Sequence, residues 1–293
     1  MDKREALQTI AADAAQGKLT FPSHVKVALR VLRLLDDPDC HIDAIVRLVK
    51  AEPLLSARVV AVANSPVLNT SGKTITDART AMARMGLNTV RTLAVAEVAR
   101  QLANMPPRPE DRVLSTRLWT HTVHVAALAH VIAKRVTKQD PETALFAGIV
   151  HELGGLYLLF RAKDFPCLLE THALVQANGV ELEDGENEGP NEEEGEGALG
   201  RAIMHALSIP APVLQVVEDL WKGYLTVPPT SLGDTLLLAD ELAPVQSPLR
   251  QGATAGRSSN GRDIDMVIDG AMLSSILQES AADVESLTQA LTG

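Results

Sequence analysis

Aromatic side chains are scarce in this chain, at 3% of 293 residues against 46% hydrophobic residues in all. The core therefore has to be built from Ala, Leu and Val, which favours helices over a β-sandwich. There are only two cysteines, Cys40 and Cys167. They lie far apart, in no CxxC pairing. This excludes a cysteine zinc site, fits a reducing compartment and reads both as core thiols. No 18-residue uncharged apolar run occurs, and the opening MDKREALQ carries both charge signs without an apolar segment. Neither a membrane span nor a signal peptide is expected, and the cytoplasm is the expected location. No GxxxxGK(S/T) loop, no GxGxxG after a strand and no GxSxG elbow is present, so P-loop, dinucleotide and α/β-hydrolase chemistry have no starting point. Asp36, Asp37 and Asp39 lack the glycine and terminal glutamate of an EF-hand loop and read as a helix-ending turn.

The length is enough for two compact units and a substantial core. The net charge of −10 hides an asymmetry: residues 1–136 sum to +7 and residues 137–293 to −17. Nine of the carboxylates fall in ELEDGENEGPNEEEGEG, residues 181–197, which has no Lys or Arg. The stretch reads as a solvated, self-repelling loop, and a nucleic-acid mimic is the weaker reading. Basic residues of the first half are scattered about one per turn and form no stripe, so nucleic acid is not an expected partner.

Helical periodicity runs through most of the chain. Val25, Ala28, Leu29, Val31, Leu32 and Leu35 mark one helix, and Ile42 to Lys50 a second. Pro53 opens a third that closes at Asn64–Ser65–Pro66. A fourth has Thr76 as its expected N-cap and Gly86 as its stop, and a fifth covers Asn88 to Leu102. Pro106, Pro107 and Pro109 then mark a boundary between an N-terminal helical subdomain, 1–106, and a second helical subdomain, 107–293. The second half opens with the stripe Leu114, Leu118, His121, Val125, Leu128, Ile132, which turns His121 inward. Asp140 caps the following helix with Pro141 at its first position, and the face Ala144, Ala147, His151, Gly154 turns a second histidine inward. Further helices are expected near Pro166 to Asn178, Ala198 to Leu207, Val213 to Trp221 and Leu232 to Leu242. A flexible Gly/Ser/Pro-rich loop is expected at 245–262, and then one last helix carrying Leu273, Leu277, Ala281, Val284, Leu287 and Leu291.

Two inward histidines, the carboxylate of Glu152 beside one of them and a later one at Asp240 in the apolar run LLLADELA are residue types that bind a divalent metal and activate water. Spacing alone favours buried histidines satisfied by hydrogen bonds over metal ligands. His124 is one turn from His121 and equally suits a surface position. His24, His41, His130, His172 and His205 have no ligand-spaced partner in the sequence.

The segments LWTHTVHVAALAHVIAKR, AGIVHELGGLYLL and LLLADELA resemble successive helices of HD-domain phosphohydrolases, in which a His, a His-Asp pair and a final Asp hold the metal. The resemblance places those roles at His121, at His151 with Glu152, and at Asp240. More closely, FPSHVKVALRVLRLLDDPDCHIDAIVRLVKAEPLLSARVVAVANSP and ITDARTAMARMGLNTVRTLAVA resemble the amino-terminal helices of HDOD domains, the HD-related output domains of bacterial signalling proteins. The likeness spans about residues 20 to 245. It implies an all-α, multi-helical HDOD-type fold, with an N-terminal helical bundle packed on a degenerate HD-like subdomain.

Departures from the pattern carry information too. The His-Asp pair is His-Glu here, and EEEGEGALGRAIMHALSIPAPVLQVVEDLWKGY lacks the histidines that follow in the family. The expectation is thus a vestigial pocket of His121, His151, Glu152 and Asp240 with no catalytic residues, no metal and no cofactor. The expected function is non-enzymatic signal transduction through protein partners, without a membrane. A divergent metal-dependent phosphohydrolase is the alternative.

Overall fold

A computed structural model describes residues 2–69, 71–105, 108–109, 111–169, 191–223, 225–226, 228–249 and 270–292. These form an all-α fold, with no strand among the described residues. Helix α1 (Lys3–Ala15) is one the periodicity reading passes over. A capping box starts it: Asp2 accepts from the Glu5 N–H while Glu5 reaches back to Asp2. Ala6, Leu7, Ile10 and Ala14 then bury one face. The helix packs on the C-terminal half, against α9 (Asn191–Ala206) and the short 3-10 turn Pro166–Leu169.

Helices α2 (Lys26–Leu35), α3 (Ile42–Lys50) and α4 (Pro53–Ala63) follow the expected stripes, burying Ala28, Val31 and Leu32, then Ile45, Val46 and Val49, then Leu55, Val59 and Val62. The aspartate turn after α2 is closed locally, with Asp37 accepting from the Asp39 N–H at 2.9 Å. Helix α5 (Ala78–Ala103) is two helical pieces, 78–85 and 87–103, meeting at Gly86, whose φ of 81° only glycine adopts cheaply. Its N-cap is Asp77, not Thr76: the carboxylate accepts from the Thr80 N–H at 3.0 Å, and a charged acceptor suits the positive helix start. The second piece is the central helix of the molecule. Its buried Val90, Leu93, Ala94, Val95, Val98, Ala99 and Leu102 meet α2 and α4 on one side and α7 and α8 on the other.

Helix α6 (Asp111–Ile132) continues into a π-helical turn, Ala133–Thr137. Helix α7 (Pro141–Val150) starts at Asp140, whose side chain accepts from the Thr143 N–H, and α8 (Leu153–Arg161) follows after a break at His151 and Glu152. The α6–α7 crossing is glycine-dependent, because a Cβ on Gly148 would overlap the backbone of Ala126. This close approach brings His121, before Ala126 in α6, alongside His151, after Gly148 in α7. Pro141–Arg161 is long and apolar enough by composition to cross a membrane, but 72% of its most apolar window is buried inside the fold. Its apolarity is that of a core helix pair.

Beyond α9 lie α10 (Ala211–Lys222), α11 (Leu232–Glu241), α12 (Gly270–Glu279) and α13 (Ala281–Thr292). Several expectations need correction here. Helix α9 begins at Asn191, so 191–197 of the acidic stretch is helical and not loop. Glu propagates a helix well, and carboxylates near its start are favoured by the dipole. The rest of that stretch, 181–190, lies outside the described residues, as does 170–178 of the helix expected from Pro166 to Asn178. The last helix is two, interrupted at buried Ser280. Its N–H bonds the Ile276 carbonyl, and its own carbonyl accepts from the Val284 N–H. Cys40 and Cys167 are both half-buried and pack against the edge of the core, not within it. Finally, Ser247 and Pro248 are buried, so the beginning of the expected flexible loop 245–262 is packed structure. Residues 250–262 lie outside the described residues.

Candidate functional site

Helices α6, α7 and α11 carry the site. His121 faces inward from mid-α6, His151 closes α7, Glu152 opens α8, and Asp240 lies in the last turn of α11. Helix α11 is held at its start by a capping box at Ser231 and Asp234, and along its length by a buried hydroxyl contact at 2.7 Å between Thr235 and Thr137 of the π turn. Asp240 lies six positions after Asp234, so the anchored start fixes where Asp240 projects.

All four side chains predicted from the sequence come together. His121 Nε2 lies 3.2 Å from His151 Nε2 and 3.2 Å from Asp240 Oδ1, and His151 Nε2 lies 3.8 Å from the same oxygen. Glu152 is further out, its Oε1 3.9 Å from His121 Nε2. The side chains of His121 and His151 are each 1% exposed and that of Asp240 2%, against 12% for Glu152. The outer position of Glu152 is what a side chain one carbon longer than aspartate produces beside His151.

Both imidazoles are oriented by main-chain carbonyls. His121 Nδ1–H donates to Val245 at 2.8 Å and His151 Nδ1–H to Gly148 at 2.7 Å. A carbonyl only accepts, so these bonds assign the proton to Nδ1 and leave Nε2 as a lone pair in each neutral ring. Two lone pairs 3.2 Å apart, beside a carboxylate, require something positive between them. A proton meets that need. Burial acts against an imidazolium at His121, but the Asp240 hydrogen bond, the charges of Glu152 and Asp240, and the Val245 carbonyl outweigh it and hold the group above its ordinary 6.5.

A divalent cation meets the same need. Among the described residues His121, His151 and Asp240 are the group able to hold one. Their three atoms form a triangle of sides 3.2, 3.2 and 3.8 Å. The corners of such a triangle lie about 2 Å from a common point, the ordinary ligand distance for zinc and similar ions. Imidazoles fixed through Nδ1 to carbonyls are also the usual support for metal-binding histidines. The residues present therefore fit one cation.

The segment after α11 covers this cluster. Besides the Val245 carbonyl, it brings Leu249 into the space where a Cβ on Gly155 would sit, next to Glu152. Sequence reasoning missed this contribution, since a carbonyl acceptor leaves no mark on residue type. It also missed a second buried histidine contact, His130 Nε2 at 3.5 Å from Glu142 Oε1, with Thr89 bonded to the same carboxylate at 3.0 Å. His124 stays apart, its Nδ1–H on the Thr120 carbonyl. His41 and His205 are exposed, and His172 lies outside the described residues.

Comparison with known proteins places this geometry in a family. Among curated proteins, none matches the chain. Of solved structures, a provisionally named metal-dependent phosphohydrolase from Shewanella amazonensis SB2B superposes with a TM-score of 0.67 at 20% identity, covering 99% of both chains. A second, provisionally named phosphohydrolase from the same organism gives 0.62 at 20% identity over 96% of this chain and 97% of that one. A provisionally named signal transduction protein from Marinobacter aquaeolei VT8 gives 0.54 at 18% identity, over 100% of this chain and 67% of its own. At these identities the likeness establishes a common fold. The HDOD domain model matches residues 21–221, most of the chain, and the chain belongs to the HDOD domain family.

Proposed function

We propose that this chain is a non-enzymatic regulatory protein of bacterial signal transduction, acting in the cytoplasm through protein partners that dock on its helical surfaces. The observation that carries this reading is the state of the pocket. Its three converging donors are almost fully buried, its fourth group is the displaced Glu152, and residues 245–249 lie over it. Hydrolysis of a phosphoester needs an open coordination position, a water and room for the substrate. A closed triad in which two histidines and Asp240 share a proton has a structural use instead. It ties α6, α7 and α11 to one point beneath the segment that follows α11.

One observation favours a second reading, a metal-dependent phosphohydrolase: the size of the donor triangle. On that reading His121, His151 and Asp240 would hold a single ion, and the ion would supply Lewis acidity and a water of lowered pKa. Assays on phosphomonoesters and cyclic dinucleotides, with manganese, iron or zinc added, separate the two. No turnover above background is expected. Turnover that disappears on His151→Ala would overturn the proposal.

A further inference from the structure

Outside the histidine pocket, an open groove between α2 and α3 has a volume of about 420 Å³. One face of each helix lines it. From α2 come Arg30, Arg33 and Leu34, at helical i, i+3 and i+4 spacing, from the turn after it Asp37, and from α3 Ala44, Arg47 and Leu48. The leucines are half-buried while the three arginines are exposed. Neighbouring arginines have partners within the chain: Arg79 pairs with Asp43 at the surface, Arg84 donates to the amide oxygen of Asn69, and Arg91 pairs with Asp36 at 2.8 Å. The side chains of Arg30, Arg33 and Arg47 have no ion-pair or hydrogen-bond partner among the described residues. Three guanidinium groups facing one concavity with a single carboxylate repel one another, and that repulsion falls when an anion enters.

We infer that this groove binds a phosphorylated small molecule of about nucleotide size. Guanidinium forks match phosphate oxygens bidentately, and three of them around one cavity suit a group carrying more than one negative oxygen. The volume falls within the usual range for small-molecule sites, about 300 to 1,000 Å³. Leu34 and Leu48 offer an apolar surface for the uncharged part of the ligand, and Asp37 offers an acceptor for its N–H or O–H groups. A protein partner fits less well. A stable protein interface needs roughly 800 Å² on each side, and this cavity belongs to a few residues on two short helices.

The groove is also wired to the other half of the chain. Arg91, on the central helix α5, donates to the Leu35 carbonyl at the end of α2 at 3.1 Å and to the Ser208 carbonyl, between α9 and α10, at 3.3 Å. A ligand that repositions the end of α2 therefore acts on a residue that grips both halves. The inference concerns a site separate from the histidine pocket and holds whichever reading of that pocket is correct.

Calorimetric titration of the full chain with ADP and GDP tests it, with adenosine and inorganic pyrophosphate as the two halves of the ligand. At least one nucleotide should bind one to one. Affinity should fall about tenfold or more in the Arg33→Gln/Arg47→Gln double variant, whose melting stays that of the wild type because both side chains are exposed and unpaired. It should be unchanged in Arg117→Gln, an exposed arginine on α6, and adenosine should not bind. The inference is overturned if neither nucleotide binds at millimolar concentration, or if the double variant binds as well as the wild type. Pyrophosphate binding as tightly as the nucleotides would overturn the assigned ligand size. A polyglutamate peptide binding where nucleotides do not would overturn it in favour of an acidic protein.

Discussion

Replacing Asp234 by asparagine should cost about 2 kcal/mol at neutral pH, and the cost should shrink in acid. Asp234 is buried at the start of α11 and accepts five hydrogen bonds: from the Thr226 N–H and hydroxyl at 2.8 and 2.6 Å, the Thr230 N–H at 3.0 Å, and the Ser231 N–H and hydroxyl at 2.9 and 2.7 Å. Burial opposes its ionised form, but these donors outweigh burial and pull the carboxyl from 3.8 down to about 2. The difference corresponds to about 2 kcal/mol of stability. Because the folded value is the lower one, this stabilisation is complete above pH 3.8 and is lost as the pH falls toward 2. Asparagine keeps the shape but removes the charge and turns an amide N–H₂ toward donors. Urea denaturation of wild type and variant at pH 7, 5, 4 and 3 reads the effect. The gap between them should be about 2 kcal/mol at pH 7 and 5, and roughly half of that by pH 3. A gap under about 0.5 kcal/mol at pH 7, or one independent of pH, would refute the account of how α11 is anchored.

Alanine at His151 removes one side of the triad and strands the Gly148 carbonyl, so thermal unfolding should show a loss on the order of 1–3 kcal/mol. Gly148→Ala forces α6 and α7 apart at their crossing and should destabilise by about 2 kcal/mol or more in the same assay, while also disturbing the His121–His151 contact. Expressed separately, residues 1–106 and 107–293 should fail to give two stable, monodisperse fragments. The reason is that α1 packs on α9, the central helix α5 on α7 and α8, and α13 on α4. Two well-folded fragments with the melting behaviour of the whole chain would contradict a shared core.

Much of this architecture is written in short-range patterns. The stripe through His121 and the small-residue face through His151 point both histidines at the same core, and Gly86 and the Asp140–Pro141 pair mark real helix limits. Signals of one or two residues were harder to weigh. Asp2 and Glu5 announce α1, but its buried face is only four residues, two of them alanines, in a segment that also carries both charge signs. Thr76 and Asp77 are adjacent and both of N-capping type, so residue type alone does not choose between them. In 191–197 composition argues for a loop while the helix propensity of glutamate argues the opposite, and the helix prevails where it can extend Leu199, Ile203 and Met204 onto the core. What stayed invisible is long-range and main-chain in nature. The Val245 and Gly148 carbonyls, the seat of Leu249 against Gly155, and the meeting of His130 with Glu142 depend on how helices cross, and no periodicity encodes that.

The central claim is that a proton, not a catalytic metal, satisfies the two facing imidazoles and Asp240. Elemental analysis of the full chain purified without added metal tests it most directly. The account predicts manganese, iron and zinc well below one equivalent per chain, and a content no different in the His151→Ala variant. One equivalent of any of these metals in the wild type, lost on His151→Ala together with phosphatase or phosphodiesterase turnover, would contradict it.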